Sequence, residues 1–377
     1  MSRLPTGDVP VRPRSLRGRG TADNPHNRFE RLRAIEDAEF AESERLRRAD
    51  PEDDTGPDQT RHDTKFFSDP SRRLLATNES PDLPFDTSLN PYRGCEHGCI
   101  YCYARPTHEY LGFSAGLDFE NRILVKQAAP ELLRRELSSR RWKPQTVAIG
   151  AVTDPYQPVE RRLCITRRCL EVFAEFRNPI SIVTKSALVT RDIDILAQLV
   201  PFDAVHVNVS ITTLDPELHR VMEPRSATPA RRLAAIEALV RSGIPVSAMV
   251  APVIPGLNDS EIPAIVSAAA RAGAQSASRI VLRLPLAVAP LFADWLERHF
   301  PDRAQKVLNR VRDMRRGRLN DPHFHTRFRG TGLFNDQIQA LFELSCRRAG
   351  LATNAPTLSA GAFQRPDEPQ LSLFPRD

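Results

Sequence analysis

The sequence predicts an α/β fold, a partial (β/α)6 barrel with a helical C-terminal extension and disordered tails. Two observations carry this. Short apolar, β-branched runs alternate with helical patterns from about residue 85 to residue 290, and from about Pro290 onward the pattern is mainly helical. A hydrophobic content of 41% over 377 residues supports a sizeable core without disulfides. Alternation of strand and helix implies a parallel sheet with right-handed crossovers. Six such units fit the length, short of the eight that close a complete barrel.

In chain order, the candidate strands are Thr146–Ala151, Ile180–Thr184, Ala204–Ile211, Val246–Val250 and Arg279–Leu284. Helical periodicity fills the intervals at Glu131–Arg141, Arg161–Phe176, Asp192–Leu199, Pro229–Ser242 and Glu261–Ala272. The stretch from Thr228 shows the signals in full. Thr228 is a residue type that caps, Pro229 suits the first helical position, Leu233, Ile236 and Val240 recur at helical spacing, and Gly243 ends the helix. Three further helices are expected at Leu291–His299, Asp302–Arg315 and Asn335–Ala349. The chain thus divides into a charged tail (1–65), a core domain (66–290), a helical extension (291–351) and a second tail (352–377). In the first tail, Arg3, Arg12, Arg14, Arg17 and Arg19 lie among Pro and Gly, which reads as a solvated tail or as an arginine arm that touches phosphates.

Composition excludes several classes. The first residues hold no apolar core of a secretory signal. The longest uncharged apolar stretch, Ile244–Asn258, is broken by Pro245, Pro252 and Pro255 and cannot span a membrane. A cytoplasmic location is therefore expected. A net charge of +6 permits a nucleic-acid partner without establishing one. Six cysteines in a chain this long are no disulfide framework, and three of them crowd into eight residues, which points to metal chemistry in a reducing compartment.

Those three form the strongest signal, Asn90-Pro-Tyr-Arg-Gly-Cys95-Glu-His-Gly-Cys99-Ile-Tyr-Cys102-Tyr103. Three thiolates at Cys-x3-Cys-x2-Cys spacing can wrap one face of an iron–sulfur cube and leave one iron open for a small molecule. Gly94 and Gly98 let the backbone curl tightly around such a group. The competing reading is a structural zinc site, with His97 as fourth ligand.

Cys-x3-Cys-x2-Cys with an aromatic residue before the last cysteine resembles the signature of the radical S-adenosylmethionine (SAM) superfamily. The run Tyr101-Cys102-Tyr103 is similar to that of its spore photoproduct lyase-like branch. The resemblance covers roughly Asn90 to Leu286. It implies a [4Fe–4S] cluster on Cys95, Cys99 and Cys102, with SAM chelated at the open iron. It further implies an electron donor such as flavodoxin or ferredoxin, and a 5′-deoxyadenosyl radical that abstracts a hydrogen atom. It places Tyr101 and Tyr103 beside SAM or the substrate cavity. Thr153 and Asp154 resemble residues that meet the amino-acid part of SAM, Lys185 and Ser210 its carboxylate and ribose contacts, and Ile254 and Gly256 the adenine cradle. Arg225 reads as an anion contact or a surface salt bridge. One departure stands out. Spore photoproduct lyases carry a hydrogen-donating cysteine where this chain has Ala151, while Cys164 and Cys169 read as buried thiols and Cys346 is isolated.

The chain ends Gln370-Leu371-Ser372-Leu373-Phe374 before Pro-Arg-Asp. This run resembles the short peptide by which bacterial replication and repair proteins bind the sliding clamp. Leu371, Leu373 and Phe374 would be the apolar anchors and Gln370 the polar contact. Two function classes remain open on sequence. One is a radical SAM enzyme acting on DNA lesions, or on RNA, a protein or a metabolite. The other is a non-catalytic, zinc-stabilised binding module.

Overall fold

A computed structural model describes residues 18–21, 23–29 and 64–366. Its strands are β1 (Lys65–Ser68), β2 (Leu75–Thr77), β3 (Thr87–Leu89), β4 (Tyr92–Arg93), β5 (Arg122–Val125), β6 (Val147–Ile149), β7 (Ile180–Thr184), β8 (Val205–Ser210), β9 (Val246–Val253) and β10 (Ser276–Val281). The principal helices are α1 (Ala129–Ser138), α2 (Ile165–Phe176), α3 (Ile193–Leu199), α4 (Pro229–Arg241), α5 (Ile262–Arg271), α6 (Val288–His299), α7 (Pro301–Asp313) and α8 (Leu333–Ala349).

The main sheet runs β10-β9-β8-β7-β6-β3-β2. Its six strands from β3 to β10 pair in parallel, and β2 adds antiparallel to β3 at one edge. This is the open six-unit barrel that the strand–helix alternation predicts, with β3 as its first strand. A small sheet, β1-β5-β4, sits beside it.

Every residue of β8 is buried, as a central parallel strand requires. Val205, Val207 and Val209 join Phe173, Leu196, Ile236 and Ile265 in one core. The alternate residues are polar and satisfied across the sheet: His206 Nε2 lies 2.7 Å from Ser247 Oγ, and Asn208 Nδ2 donates to Ser181 Oγ at 3.1 Å. A second core joins the helical extension to the barrel mouth. In it Trp295 and Phe292 of α6 and Val307 and Val311 of α7 pack with Met222, Ile254, Ile100 and Tyr101. The extension therefore underlies the cysteine segment as well as covering the barrel.

Several expectations are corrected. Residues in the stretch expected to be a free N-terminal tail dock on the core: Thr21 and Asn27 are buried, and the backbone N–H groups of Gly20 and Thr21 donate to Glu120 at 3.0 and 3.2 Å. The stretch after residue 351 also packs. Ser359 N donates to Asp203 O at 2.9 Å, Gln364 N donates to Phe176 O at 2.9 Å, and the rings of Phe363 and Phe176 lie 6.2 Å apart. Both segments hold few apolar residues, so composition reads them as tails, while hydrogen bonds from backbone and polar side chains dock them. The predicted helix Arg161–Phe176 breaks at Cys164, whose φ of 51° ends one turn before α2 begins. Thr228 stands at the N-terminus of α4 but makes no side-chain cap. Cys164 is half-buried rather than buried, and Cys169 is fully buried. The clamp-like residues Gln370, Leu371, Leu373 and Phe374 lie outside the described residues.

Candidate active site

The parallel strands bring their C-terminal ends to one side, and the sequence-predicted positions gather there. The cysteine segment follows β3 and β4, Ala151–Asp154 follows β6, Lys185 follows β7, Ser210 ends β8, and Ile254 follows β9. Hydrogen bonds stitch these ends together. Asn90 Oδ1 accepts from Val152 N at 2.9 Å and Thr153 N at 3.2 Å, and Asn258 Nδ2 donates to Thr212 O at 2.7 Å.

Cys95 and Cys99 are buried, Cys102 is half-buried, and all three thiols are free. Burial raises each of them: Cys99 is pushed up to about 12, helped by Glu223, and Cys95 is raised further by Asp154 and the neighbouring thiols. A cationic iron centre held by these thiols would reverse that penalty, because a coordinating thiol is deprotonated outright. The segment is held by its backbone. Cys95 N donates to Phe119 O at 2.8 Å and Ile100 N to Met222 O at 3.1 Å. Gln157 Oε1 accepts from Glu96 N at 2.9 Å, and Glu96 accepts from Val159 N at 2.7 Å. Gly98 has φ 66°, and a Cβ there would stand 2.8 Å from Glu120 Oε2, so only glycine fits.

Sequence reasoning missed the anchors of this segment. Arg105 is fully buried, donates to the carbonyls of Gly98, Cys99 and Gly116, and pairs with Glu120 at 2.6 Å. Glu223 is a second hub. It accepts from Tyr101 and Arg232, and from Thr212 at 2.6 Å. Burial opposes its charge, but Arg232, Lys185, Thr212 and Tyr101 together lower it to about 2. Glu223 lies two residues before Arg225, which the sequence offers as an anion contact or a surface salt bridge. That arginine pairs with Glu96, inside the cysteine segment, at 3.1 Å.

The remaining predicted residues divide into those with protein partners and those open to a ligand. Thr153 Oγ1 donates to Tyr92 O at 2.9 Å. Asp154 accepts from Thr184 Oγ1 at 2.8 Å, Lys185 N at 2.7 Å and Tyr156 N at 2.9 Å, and lies 3.4 Å from His97 Nδ1. Those donors overcome burial and hold its carboxyl below the usual range. Lys185 Nζ sits 5.8 Å from the Tyr101 ring centre, forms no ion pair within 4 Å among the described residues, and helps to lower Glu223. Ser210 is buried, and its carbonyl accepts from Arg232 at 2.9 Å. Ile254 is buried, and Gly256 faces the Arg310 side chain. Tyr103 is 47% exposed, and its hydroxyl donates to the carbonyl of Ala151.

The donor set fits an iron–sulfur cluster better than a single zinc ion. Among the described residues, no three His, Cys, Asp or Glu side chains converge on one metal ion, and His97 is turned to Asp154. A cube spreads its thiolates over separate irons and needs no such convergence.

A family model, the Radical SAM superfamily, matches residues 89–269, which span the cysteine segment and the strands from β3 to β9. The chain belongs to the radical SAM superfamily. An uncharacterised protein of Mycobacterium tuberculosis strain H37Rv is 39% identical over 260 residues, 67% of this chain and 75% of that protein. One from Methanocaldococcus jannaschii is 30% identical over 173 residues, 46% of this chain and 62% of that protein. Among solved structures, spore photoproduct lyase complexed with dinucleoside spore photoproduct superposes with a TM-score of 0.54. That match has 15% identity and covers 75% of this chain and 79% of the lyase, a likeness of fold. The protein is thus a radical SAM enzyme, and its superfamily implies SAM and an iron–sulfur cluster. Among the described residues, no helix is long and apolar enough to cross a membrane.

Proposed function

We propose that Cys95, Cys99 and Cys102 bind a [4Fe–4S] cluster, and that the enzyme cleaves SAM reductively to act on a nucleic acid, a DNA lesion first among candidates. The observation that carries the cluster is the set of three free thiols in one backbone-clamped segment at the C-terminal ends of the strands. When bound, the cluster and SAM supply a 5′-deoxyadenosyl radical that removes a hydrogen atom from the substrate.

The chain's own residues bind and orient. Lys185 would offer its ammonium to the SAM carboxylate, and Ser210 and Ile254, buried at the ends of β8 and β9, would meet ribose and adenine. Thr153 and Asp154 act by fixing the Ala151–Asp154 turn, since their side chains are spent on Tyr92, Thr184 and Lys185. Glu223 orients Tyr101 beneath Lys185. A reduced flavodoxin or ferredoxin would supply the electron.

The basic balance of the chain and its structural likeness to a lyase solved with a dinucleoside photoproduct support the nucleic-acid substrate. Gln370–Phe374 would recruit the enzyme to a sliding clamp, and the cytoplasm is the matching compartment. The test is anaerobic reconstitution with iron and sulfide, then dithionite and SAM, with 5′-deoxyadenosine read by mass spectrometry. Its appearance only when all three cysteines are present supports the reading. A colourless zinc protein that leaves SAM whole would overturn it.

A further inference from the structure

A ladder of alternating rings and guanidinium groups leads away from the cysteine segment. It starts at Tyr103, next to Cys102. The Arg283 guanidinium lies 5.5 Å from the Tyr103 ring centre and 4.7 Å from that of Phe328. The Arg327 guanidinium lies 4.9 Å from the Phe328 ring centre and 4.7 Å from that of Phe324. Arg283 follows β10, so the ladder begins at the ligand-facing ends of the strands and ends at Phe324, which is 51% exposed.

The ladder stands on a fixed platform. Residues 314–331 are tied to the end of β10 by the buried Arg315, which donates to Leu282 O at 2.7 Å and Thr326 O at 2.9 Å. Val281 N donates to Phe328 O at 3.0 Å, and Arg327 pairs with Asp82 at 2.7 Å. The same segment presents Arg316, Arg318 and Arg329 to solvent, and none of the three makes a side-chain hydrogen bond or ion pair among the described residues. Arg283 Nε is buried without a hydrogen-bond partner. The exposed ring of Phe324 and the guanidinium groups of Arg316, Arg318 and Arg329, without partners among the described residues, contribute little to folding. Together they match a ligand with flat faces and regularly spaced anions.

We infer that the ladder from Tyr103 to Phe324, with Arg316, Arg318 and Arg329 around it, is a binding track for a single nucleic-acid strand. The arginines meet phosphates, and the exposed ring of Phe324 stacks on a base. A duplex hides its base faces, so the track selects a strand that is unpaired or locally opened. The strand would run from the surface toward Tyr103 and bring one nucleotide to the strand ends. This inference rests on the nucleic-acid reading above and assigns the surface that would serve it.

The experiment is fluorescence anisotropy on the full-length protein, with labelled oligodeoxythymidylate of about 15 nucleotides as probe, within the site sizes of known strand binders. SAM cleavage is measured on the same preparation, so failure of the track and failure of the radical reading are read separately. Three unpaired arginines predict a slope of about −2 in log affinity against log salt, and Arg329→Ala should reduce that slope by about 0.7. Phe324→Ala should weaken binding about tenfold, and Phe324→Trp should restore it. Oligouridylate bound as tightly also supports the track and directs the substrate search to RNA. Equal binding of duplex and strand, wild-type binding by Phe324→Ala, or no strand binding by a preparation that cleaves SAM would each overturn it.

Discussion

At the residue scale, the site depends on two kinds of side chain, and one kind was legible in advance. The cysteines declare themselves by spacing, because a cluster's ligands must reach it from one short loop. Cys99→Ala should remove iron binding and SAM cleavage together, read as loss of brown colour and of 5′-deoxyadenosine; a brown, active variant would contradict the assignment. Glu223 gives no such signal, since its partners Tyr101, Thr212 and Arg232 come from distant parts of the chain. Its role is nevertheless measurable. Its folded value of about 2 lies below the ordinary 4.5, so its contribution is present above about pH 4.5 and is lost as pH falls toward 2. That shift corresponds to about 3 kcal/mol. Glu223→Gln leaves Arg232 buried without its counter-ion and should cost about 3–5 kcal/mol at neutral pH. Urea midpoints across the acid range check both statements, and a variant with the wild-type pH profile would refute them.

At the scale of elements, β7 matches its predicted bounds, Ile180–Thr184, because an alternating apolar run between turn signals leaves little choice. The break at Cys164 could not be read, since the apolar period continues through it and the left-handed residue is not a glycine. The short strands β1, β2, β3, β4 and β5 were equally hidden: runs of two to four residues carry too little periodicity to stand out. The cysteine segment is an element in its own right, held between Arg105–Glu120 on one side and α6 on the other. Gly98→Ala forces a Cβ against the Glu120 carboxylate at a backbone angle that disfavours side chains. Reconstituted iron content should therefore fall severalfold while the sheet remains folded by circular dichroism. Trp295 is fully buried beneath the segment, and its indole donates to Val221 O at 3.1 Å. Trp295→Ala should cost about 3–5 kcal/mol, read from the thermal midpoint, and should lower cluster retention with it.

For the whole molecule, the number of strand–helix units was countable because each parallel crossover spends a predictable length of chain. The helical extension was legible as helix, but its place was not. Amphipathic periodicity says that α6 and α7 bury a face; it does not say that Ile100, Tyr101 and Ile254 are what that face covers. The docking of residues 18–29 was hidden for a related reason, since backbone donors such as Gly20 N and Thr21 N leave no trace in composition. The last residues pose the opposite case, a legible run, Gln370–Phe374, that resembles a clamp-binding peptide. If Gln370–Phe374 is a recruitment peptide, catalysis and recruitment are separable. Deleting residues 370–377 should leave the rate of SAM cleavage within about twofold, because the cysteines and the strand-end residues around them come from positions 90–258. On that reading the same deletion should abolish retention on an immobilised bacterial sliding clamp, because it removes the apolar anchors Leu371, Leu373 and Phe374. Loss of SAM cleavage would make the tail part of the enzyme's own fold, and retention of clamp binding would move the recruitment site elsewhere.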